Sequence, residues 1–169
     1  FAKKAHGNVK RKYTEHPYYT HVCRVAGLVA AHPQTNAELI AAAYLHDVIE
    51  DTEITKAQIE EKFGTKVANL VEELTNPSIK YKNILPRKER KQMDFLHLGK
   101  ISQDAKIIKL CDRLDNLLDI SLGPKDFINK YCAESALLLA HINEKDWDKN
   151  EPLTREIEAQ INNLMKEKE

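Results

Sequence analysis

Glycine, proline and cysteine are all scarce in this chain of 169 residues, which has five glycines, six prolines and three cysteines. The segments between the few glycines and prolines carry apolar residues at three- and four-residue spacing, which is the period of an α-helix. Cys23, Cys111 and Cys132 are odd in number, widely spaced and without a CxxC pair, which argues against a disulfide framework and a thiolate zinc site. We therefore expect an all-α fold in a reducing compartment, the cytoplasm.

Long apolar runs and net charge are also lacking. No apolar run approaches the roughly 18 residues that a membrane span needs, and no signal segment follows Phe1, so we expect neither membrane association nor export. The 26 basic and 26 acidic residues cancel, so the overall positive field typical of a nucleic-acid-binding protein is absent. We expect no nucleic-acid partner, and the sequence does not define an oligomeric state.

Helix start and stop signals divide the chain into eight predicted helices. Asn36, Thr55 and Thr65 are predicted N-caps. The predicted helices are His21–Ala31, Ala37–Glu50, Lys56–Phe63, Lys66–Leu74, Arg87–Leu98, Asp104–Ser121, Lys125–Glu144 and Pro152–Lys168, with a polar stretch at Trp147–Asn150. The apolar fraction of 42% is that of a globular chain that forms one compact core.

Four ionisable residues stand at the end of an otherwise apolar predicted helix, namely His46, Asp47, Glu50 and Asp51. Residues three and four apart share one helix face, so these side chains point to a common region. Adjacent His and Asp offer nitrogen and oxygen ligands to a divalent metal, and the two following acids are placed to act on a water. The alternative is a polar helix end with its acids in solvent.

A second polar group lies in the predicted helix Asp104–Ser121. Asp112 and Asn116 are one turn apart, so a carboxylate there can complete a metal's ligands while the amide contacts a substrate hydroxyl, phosphate or base. The alternative is that Asp112 and Asp115 form surface ion pairs with Lys109 and Arg113.

The order of these residues resembles that of a known superfamily. His21 alone is more typical of a satisfied core histidine than of a ligand. Together, however, His21, His46-Asp47 and Asp112 have the order and spacing of the HD superfamily ligands. HDVIEDT resembles the His-Asp-x-x-Glu-Asp-Thr signature of the RelA/SpoT-type hydrolase domain, KLCDRLDNL resembles its Lys-Leu-Ala-Asp-Lys/Arg-Leu-x-Asn-Leu segment, and EEKFGTKVANLVEELTN is similar to the segment between them. The resemblance covers residues 10–131 and is strongest to the small stand-alone alarmone hydrolases.

The resemblance implies a single HD-domain helical bundle over residues 1–169, with C-terminal helices in 132–169. It implies metal-dependent removal of the 3′-pyrophosphate of the alarmone ppGpp, which yields GDP. The implied ligands of one divalent cation, Mn²⁺ in the family, are His21, His46, Asp47 and Asp112. Glu50 and Asp51 match the family's catalytic acid pair, which positions and deprotonates the attacking water.

Five further residues match substrate contacts of the family. Arg11 and Lys12 match a basic pair associated with the guanine base, Asn116 and Tyr131 match nucleotide-contacting positions, and Arg87 matches a basic phosphate contact. The charge layout agrees, because basic residues cluster at 10–12 and at 87–91 in a chain that is neutral overall. The alternative for the second cluster is a solvated helix face.

Three departures from the family pattern touch substrate contacts. Val22 stands where proline usually follows the first ligand, Leu118 where arginine is usual, and Phe127 where a basic residue is usual. They keep open a phosphohydrolase acting on another nucleotide, such as a nucleoside phosphate or NADPH. A non-catalytic alarmone-binding module is also open, although Glu50 and Asp51 argue against it because a sensor needs neither acid.

Overall fold

The computed structural model describes residues 1–142, 147–148 and 151–166. Within these ranges there are helices and no β-strand, and a single isolated bridge joins Lys10 to Pro17. The prediction of an all-α fold is therefore confirmed. The α-helices are α1 (Ala2–His6), α2 (Tyr19–Ala31), α3 (Ala37–Leu45), α4 (Val48–Asp51), α5 (Lys56–Phe63), α6 (Thr65–Leu74), α7 (Arg87–Leu98), α8 (Gln103–Asp119), α9 (Lys125–Ile142) and α10 (Pro152–Lys166). Two 3₁₀ helices span Pro77–Tyr81 and Ile120–Leu122.

Side-chain caps begin several of these helices. The Asn36 side chain accepts the backbone N–H three residues on, and Thr55 forms a capping box with Gln58, as the sequence predicts. The prediction of Thr65 as an N-cap is wrong, because the helix begins at Thr65 itself. Its hydroxyl donates to Glu60 at the end of the preceding helix instead.

One predicted helix is broken at the residues that matter most. The segment Ala37–Glu50 is not continuous, because α3 ends at Leu45 and α4 starts at Val48. Nδ1 of His46 donates to the carbonyl of Ala43 at 2.8 Å, and in an unbroken helix the N–H of Asp47 would use that carbonyl. The break thus places two consecutive side chains in a tight turn instead of on a regular helix surface.

Helix α8 runs through the centre of the fold. It packs against α2, α3, α6, α9 and α10, and its residues from Ala105 to Asp115 are all buried. A helix buried all round is normally apolar, yet this one contains Lys109, Asp112, Arg113 and Asp115. Buried charges are stable only where partners surround them, so the middle of α8 marks the polar centre of the molecule.

The C-terminal helices cover the far side of α8. Helix α10 packs on α8 and α9, and the Trp147 indole N–H donates to the Thr154 hydroxyl at 3.1 Å. The predicted ends at Glu144 and Lys168, and part of the polar stretch Trp147–Asn150, lie outside the described residues. None of the described helices combines the length and the apolar character that crossing a bilayer requires.

Candidate active site

Side chains from three separate parts of the chain meet beside the middle of α8. His21 comes from α2, His46 and Asp47 come from the break between α3 and α4, and Asp112 comes from α8. Each offers one ligand atom, and these atoms all lie within 4.8 Å of one another. Nε2 of His46 is 3.0 Å from the Asp47 carboxylate, and Nε2 of His21 is 3.3 Å from that of Asp112. The structure therefore brings together all four predicted ligands.

The two imidazoles are oriented so that one nitrogen of each remains available. Nδ1 of His21 is bonded to Asp115 and Nδ1 of His46 to the carbonyl of Ala43, whereas both Nε2 atoms are buried without a hydrogen-bond partner. These Nε2 atoms face the carboxylates of Asp47 and Asp112. Two imidazole nitrogens and two carboxylate oxygens form a donor set that suits a divalent cation. The cluster can therefore hold such an ion.

Without a cation, the cluster carries its charge as protonated histidine and ionised carboxylate. Burial opposes the charged ring of His21, but the carboxylates of Asp112, Asp115 and Asp47 outweigh it and raise the pKa of His21 to about 9. Burial likewise opposes the charged carboxylate of Asp112, yet nearby Lys109 and the histidines hold its pKa well below its usual range. The carboxylates of Asp47 and Asp112 are thus ionised at neutral pH. A metal that binds to the cluster has to displace protons from the two histidine rings.

Asp115 orients His21, a role that the sequence analysis did not find. Its carboxylate contacts Nδ1 of His21 at 2.6 Å and accepts two bonds from the Arg24 guanidinium, at 2.5 and 3.0 Å. The alternative of a surface ion pair with Lys109 or Arg113 does not describe this residue, which is buried and paired with Arg24. The position of Asp115 three residues after Asp112, on the same helix face, is the sequence signal from which this role could have been found.

Two further side chains hold the carboxylates of the cluster. The Tyr18 hydroxyl donates to Asp47 at 2.6 Å, and the Lys109 ammonium donates to Asp112 at 2.8 Å. The Lys109–Asp112 ion pair is therefore real, but its side chains are only 9% and 7% exposed, so it is a buried pair and not a surface pair. The Asn116 amide also donates to Asp112. Each carboxylate is fixed by a donor from outside the cluster.

The predicted acid pair lies on the wall of a cavity of about 210 Å³ that Asp47 and Asp112 also line. Glu50 accepts the backbone N–H of Asn76 at 2.6 Å and its side-chain amide at 3.3 Å, while burial raises the pKa of Glu50. Burial, followed by the charges of Asp47 and Glu50, raises the pKa of Asp51 to about 6. A carboxyl group with a pKa of about 6 can exchange protons at neutral pH.

A second cavity of about 400 Å³ adjoins the acid cavity. Tyr18, Asp51 and Asn116 line both cavities. Arg11 and Lys12 line only the second one. The shared lining residues make the two cavities parts of one cleft.

The predicted basic pair is held by specific contacts in this second cavity. Arg11 donates to Asn116 at 2.8 Å and to Asp119 at 3.0 Å, so it is linked to the acid cavity through Asn116. The Lys12 ammonium lies 5.2 Å and 5.3 Å from the ring centroids of Tyr13 and Phe127. These distances fit cation–π contacts.

The remaining two predicted substrate contacts behave differently. Tyr131 lines the acid cavity, where the Arg113 guanidinium lies 4.5 Å from its ring centroid. Arg87 lines neither cavity of the cleft; it forms a two-pronged ion pair with Glu134, and its side chain is 40% exposed. Lys91, one turn further along α7, lines the acid cavity instead. Of the five predicted substrate contacts, Arg87 alone lines neither cavity of the cleft.

Comparison with known proteins relates this arrangement to one family. Residues 1–146 match the family model described as HD domain. The chain is 39% identical over 122 residues to the guanosine-3′,5′-bis(diphosphate) 3′-pyrophosphohydrolase MESH1 of Xenopus tropicalis, covering 71% of this chain and 65% of that protein. It is 45% identical over 120 residues to the guanosine-3′,5′-bis(diphosphate) 3′-pyrophosphohydrolase of Aquifex aeolicus, covering 69% of this chain and 16% of that protein.

A solved structure agrees over a longer part of the chain. It is titled as a metazoan ortholog of SpoT that hydrolyzes ppGpp, and it superposes with a TM-score of 0.82 at 28% identity, over 96% of this chain and 90% of that one. By sequence, the chain spans slightly under two thirds of the length of the MESH1 relatives and a much smaller part of the bacterial ones.

Proposed function

Because the chain belongs to the HD domain family, we propose that it is a metal-dependent 3′-pyrophosphohydrolase that converts ppGpp to GDP and pyrophosphate. The observation that carries this proposal is the convergence of His21, His46, Asp47 and Asp112 within 4.8 Å, beside two acids on one cavity wall. The names of the MESH1 and Aquifex relatives, and the structural similarity to a protein that hydrolyzes ppGpp, support the substrate.

The four-residue cluster is the proposed binding site of the cation, which we propose to be Mn²⁺. The available Nε2 atoms of His21 and His46 and the ionised carboxylates of Asp47 and Asp112 support this assignment. The cation supplies Lewis acidity, which lowers the pKa of water and offsets the charge of a phosphate group. Tyr18 and Lys109 keep the two carboxylates in place for this purpose.

Glu50 and Asp51 are the proposed catalytic acids. In the reaction, a water oxygen attacks the phosphorus on the ribose 3′ oxygen, the P–O3′ bond breaks, and the 3′ oxygen takes up a proton. Glu50, which Asn76 fixes in one orientation, positions the water. Asp51, whose pKa is about 6, accepts the proton of the water and passes it to the 3′ oxygen. Its place on both cavities supports this transfer.

The second cavity is the proposed site of the nucleoside. Arg11 and Lys12 line it, and the aromatic rings of Tyr13 and Phe127 offer stacking surfaces for a base. Asn116 connects this cavity to the acid cavity through its bonds with Arg11 and Asp112, so it is suited to contact the ribose between them.

Two uncharged residues favour a second candidate, a phosphohydrolase of the same mechanism that acts on another nucleotide. Leu118 is 53% exposed, and Phe127 packs between Tyr13 and Tyr131 with ring centroids 5.4 and 5.8 Å apart. Neither can pair with a phosphate, although related hydrolases have basic residues at both positions. A nucleoside phosphate or NADPH is therefore the alternative substrate.

The proposed setting is one domain in the cytoplasm. The buried apolar residues of the described helices form one cluster from Ala2 to Leu164, which supports a single domain over residues 1–169. Cys23 and Cys111 are free thiols, which supports a reducing compartment.

A substrate panel tests the proposed function. Purified protein is incubated with ppGpp, GTP, GDP, deoxynucleoside triphosphates or NADPH, with Mn²⁺ or with chelator, and the products are separated. We expect Mn²⁺-dependent conversion of ppGpp to GDP with a kcat/KM far above that of the rest of the panel. Preferred turnover of another nucleotide would move the protein to the second candidate, and retention of intact ppGpp would indicate a binding module.

Three variants separate metal binding from catalysis. Asp112→Ala should abolish Mn²⁺ binding and turnover together, because it removes a ligand. Glu50→Gln should keep Mn²⁺ binding and lose turnover. Asp126→Ala, on the exposed surface of α9, is the control that should change neither. Equal loss of metal in the first two variants would contradict this division of roles.

A further inference from the structure

Two basic residues that line the acid cavity form no ion pair within the described part of the chain. Arg113 and Lys91 line the cavity together with Glu50 and Asp112. Arg113 is 5% exposed, and its Nε is buried without a hydrogen-bond partner. Its described contacts are a long bond of 3.5 Å to the Ser135 hydroxyl and the face of a tyrosine ring. Among the described residues, no carboxylate forms an ion pair with this guanidinium.

Lys91 has a similar environment on the adjacent helix α7. It is partly buried, and burial together with the charge of Arg113 lowers the pKa of Lys91. No carboxylate of the described residues lies within ion-pair distance of its ammonium group. Two cations therefore line one small cavity without a directly paired carboxylate, an arrangement that a ligand with negative charge would stabilise.

The acids of α7 and α9 whose charges act on Lys91 are hydrogen-bonded to other residues. Asp94 accepts the backbone N–H of Ser78 at 3.2 Å and its hydroxyl at 2.9 Å. Glu134 accepts both arms of the Arg87 guanidinium. Glu134 therefore pairs with Arg87 and not with Lys91, although its charge still acts on the Lys91 ammonium.

We propose that Lys91 and Arg113 form a phosphate subsite that binds the outer phosphate of the pyrophosphate group being transferred. This inference rests on the proposed function and names the part of the substrate that these two residues recognise. Glu50, Asp51 and the carboxylates of Asp47 and Asp112 line the same cavity, where the inner phosphate reacts. Ammonium and guanidinium groups together are well suited to a terminal phosphate, whose oxygens accept several charge-assisted hydrogen bonds.

The subsite explains how the cavity can distinguish a 3′-pyrophosphate from a single 3′-phosphate. A substrate with only one phosphate at this position would leave Lys91 and Arg113 without a partner. A buried polar group that is left unpaired is a strong source of discrimination between substrates. The two cations thus make pyrophosphate the preferred group.

The test compares two substrates and a pair of matched variants. The substrates are ppGpp and guanosine 5′-diphosphate 3′-monophosphate. Lys91→Met removes the charge from the cavity wall, and Lys88→Met removes an exposed charge from the same helix outside the cavity. We expect Lys91→Met to lower kcat/KM for ppGpp about 10- to 100-fold, the effect of one charge-assisted hydrogen bond, and to leave the monophosphate substrate nearly unchanged.

Lys91→Arg should restore most of the activity on ppGpp, and Lys88→Met should behave as the unchanged protein. Equal losses on both substrates in Lys91→Met would overturn the subsite. So would equal behaviour of Lys91→Met and Lys88→Met.

A binding measurement tests the subsite independently of the proposed reaction. Titration calorimetry with inorganic pyrophosphate and with orthophosphate is performed on both variants and the unchanged protein, with and without Mn²⁺. We expect a preference for pyrophosphate that Lys91→Met loses and Lys88→Met keeps. If the protein turns over no nucleotide but shows this Lys91-dependent preference, the proposed reaction fails and the subsite stands. If the unchanged protein binds pyrophosphate no more tightly than orthophosphate, both with and without Mn²⁺, the proposed subsite is wrong.

Discussion

The orientation of the His21 ring depends on the carboxylate of Asp115, which is not one of the four proposed metal ligands. Asp115 contacts Nδ1 of His21, so the lone pair of Nε2 points into the cluster, and Arg24 holds Asp115 in turn. Partners of this kind typically contribute 10- to 100-fold to metal affinity. We therefore expect Asp115→Asn, in which the charge is lost but the shape is kept, to bind Mn²⁺ at least about tenfold more weakly in titration calorimetry.

Asp119 gives a control for this substitution, because it lies one turn further along α8 and pairs with Arg11 without touching a histidine. Asp119→Asn should keep the Mn²⁺ affinity of the unchanged protein. Circular dichroism establishes that both variants are folded. Unaltered Mn²⁺ affinity in a folded Asp115→Asn variant would show that His21 does not need this carboxylate.

Protons compete with the metal at the same histidines. The carboxylates around His21 raise its pKa to about 9, and those around His46 also raise its pKa well above the ordinary value, so both rings are protonated in the metal-free protein at pH 7. Coordination requires neutral imidazole, so metal binding must release protons at pH 7. We expect about one to two protons per Mn²⁺ and an apparent affinity that increases as the pH rises toward 9.

Calorimetry in buffers of different ionisation enthalpy measures this release directly. The observed binding enthalpy should vary with the buffer at pH 7, and the part of this variation that comes from His21 should diminish above about pH 9, because that ring is then neutral before the metal arrives. A binding enthalpy that does not depend on the buffer at pH 7 would mean that the rings are already neutral in the metal-free protein.

At the scale of secondary-structure elements, the contact between α7 and α9 limits what the chain tolerates at Gly99. A Cβ at this position would lie 3.0 Å from the carbonyl oxygen of His141, a close approach to backbone that cannot move easily. Gly99→Ala should therefore reduce the free energy of unfolding by about 1–3 kcal/mol, as other overpacking substitutions do. Chemical denaturation measures the change.

Gly27 is the matched position for this experiment, because it lies inside α2 with no atom within 4 Å of a Cβ at that position. Gly27→Ala should raise the free energy of unfolding by about 0.5–1 kcal/mol, since alanine is the better helix former. If both substitutions changed stability in the same direction, the helix contact at Gly99 would not be the cause.

Several elements could be predicted because their signals are local. The Asn36 and Thr55 caps and the bounds of α7 depend on residues within one helical turn, and the structure has them as the sequence indicates. The break at His46 could not be predicted in this way. It depends on a side chain that bonds to the carbonyl of Ala43, and alanine-rich segments favour continuous helix by propensity alone.

In the candidate site, too, contacts between residues that are far apart in the sequence could not be predicted. The four predicted ligands could be found because their order and spacing match a known pattern. The bond between Arg24 and Asp115 joins residues 91 positions apart, and the ion pair of Arg87 with Glu134 joins residues 47 positions apart. Nothing local in the sequence indicates either pair, so only the structure shows that Arg87 pairs with Glu134 and lines neither cavity, whereas Lys91 lines the acid cavity.

At the scale of the whole molecule, a chain of zero net charge concentrates opposite charges in one cleft. Asp47, Asp112 and the acid pair line the same cavity as Lys91 and Arg113. The four-residue ligand cluster draws its residues from α2, the α3–α4 break and α8, and α2, α3 and α8 pack against one another. A cation bound there would connect these elements, so the metal should act on the stability of the whole fold and not only on the cleft.

Thermal unfolding with and without Mn²⁺ measures this coupling. A ligand that binds only the folded state at 100 times its Kd adds about 2.7 kcal/mol, which for a chain of this size is a rise in Tm of about 5–10 °C. Asp112→Ala should lose this rise because the ligand is gone, whereas Asp126→Ala, on the exposed side of α9, should keep it whatever its own Tm. An equal rise in both variants would show that Mn²⁺ stabilises the protein from a different site.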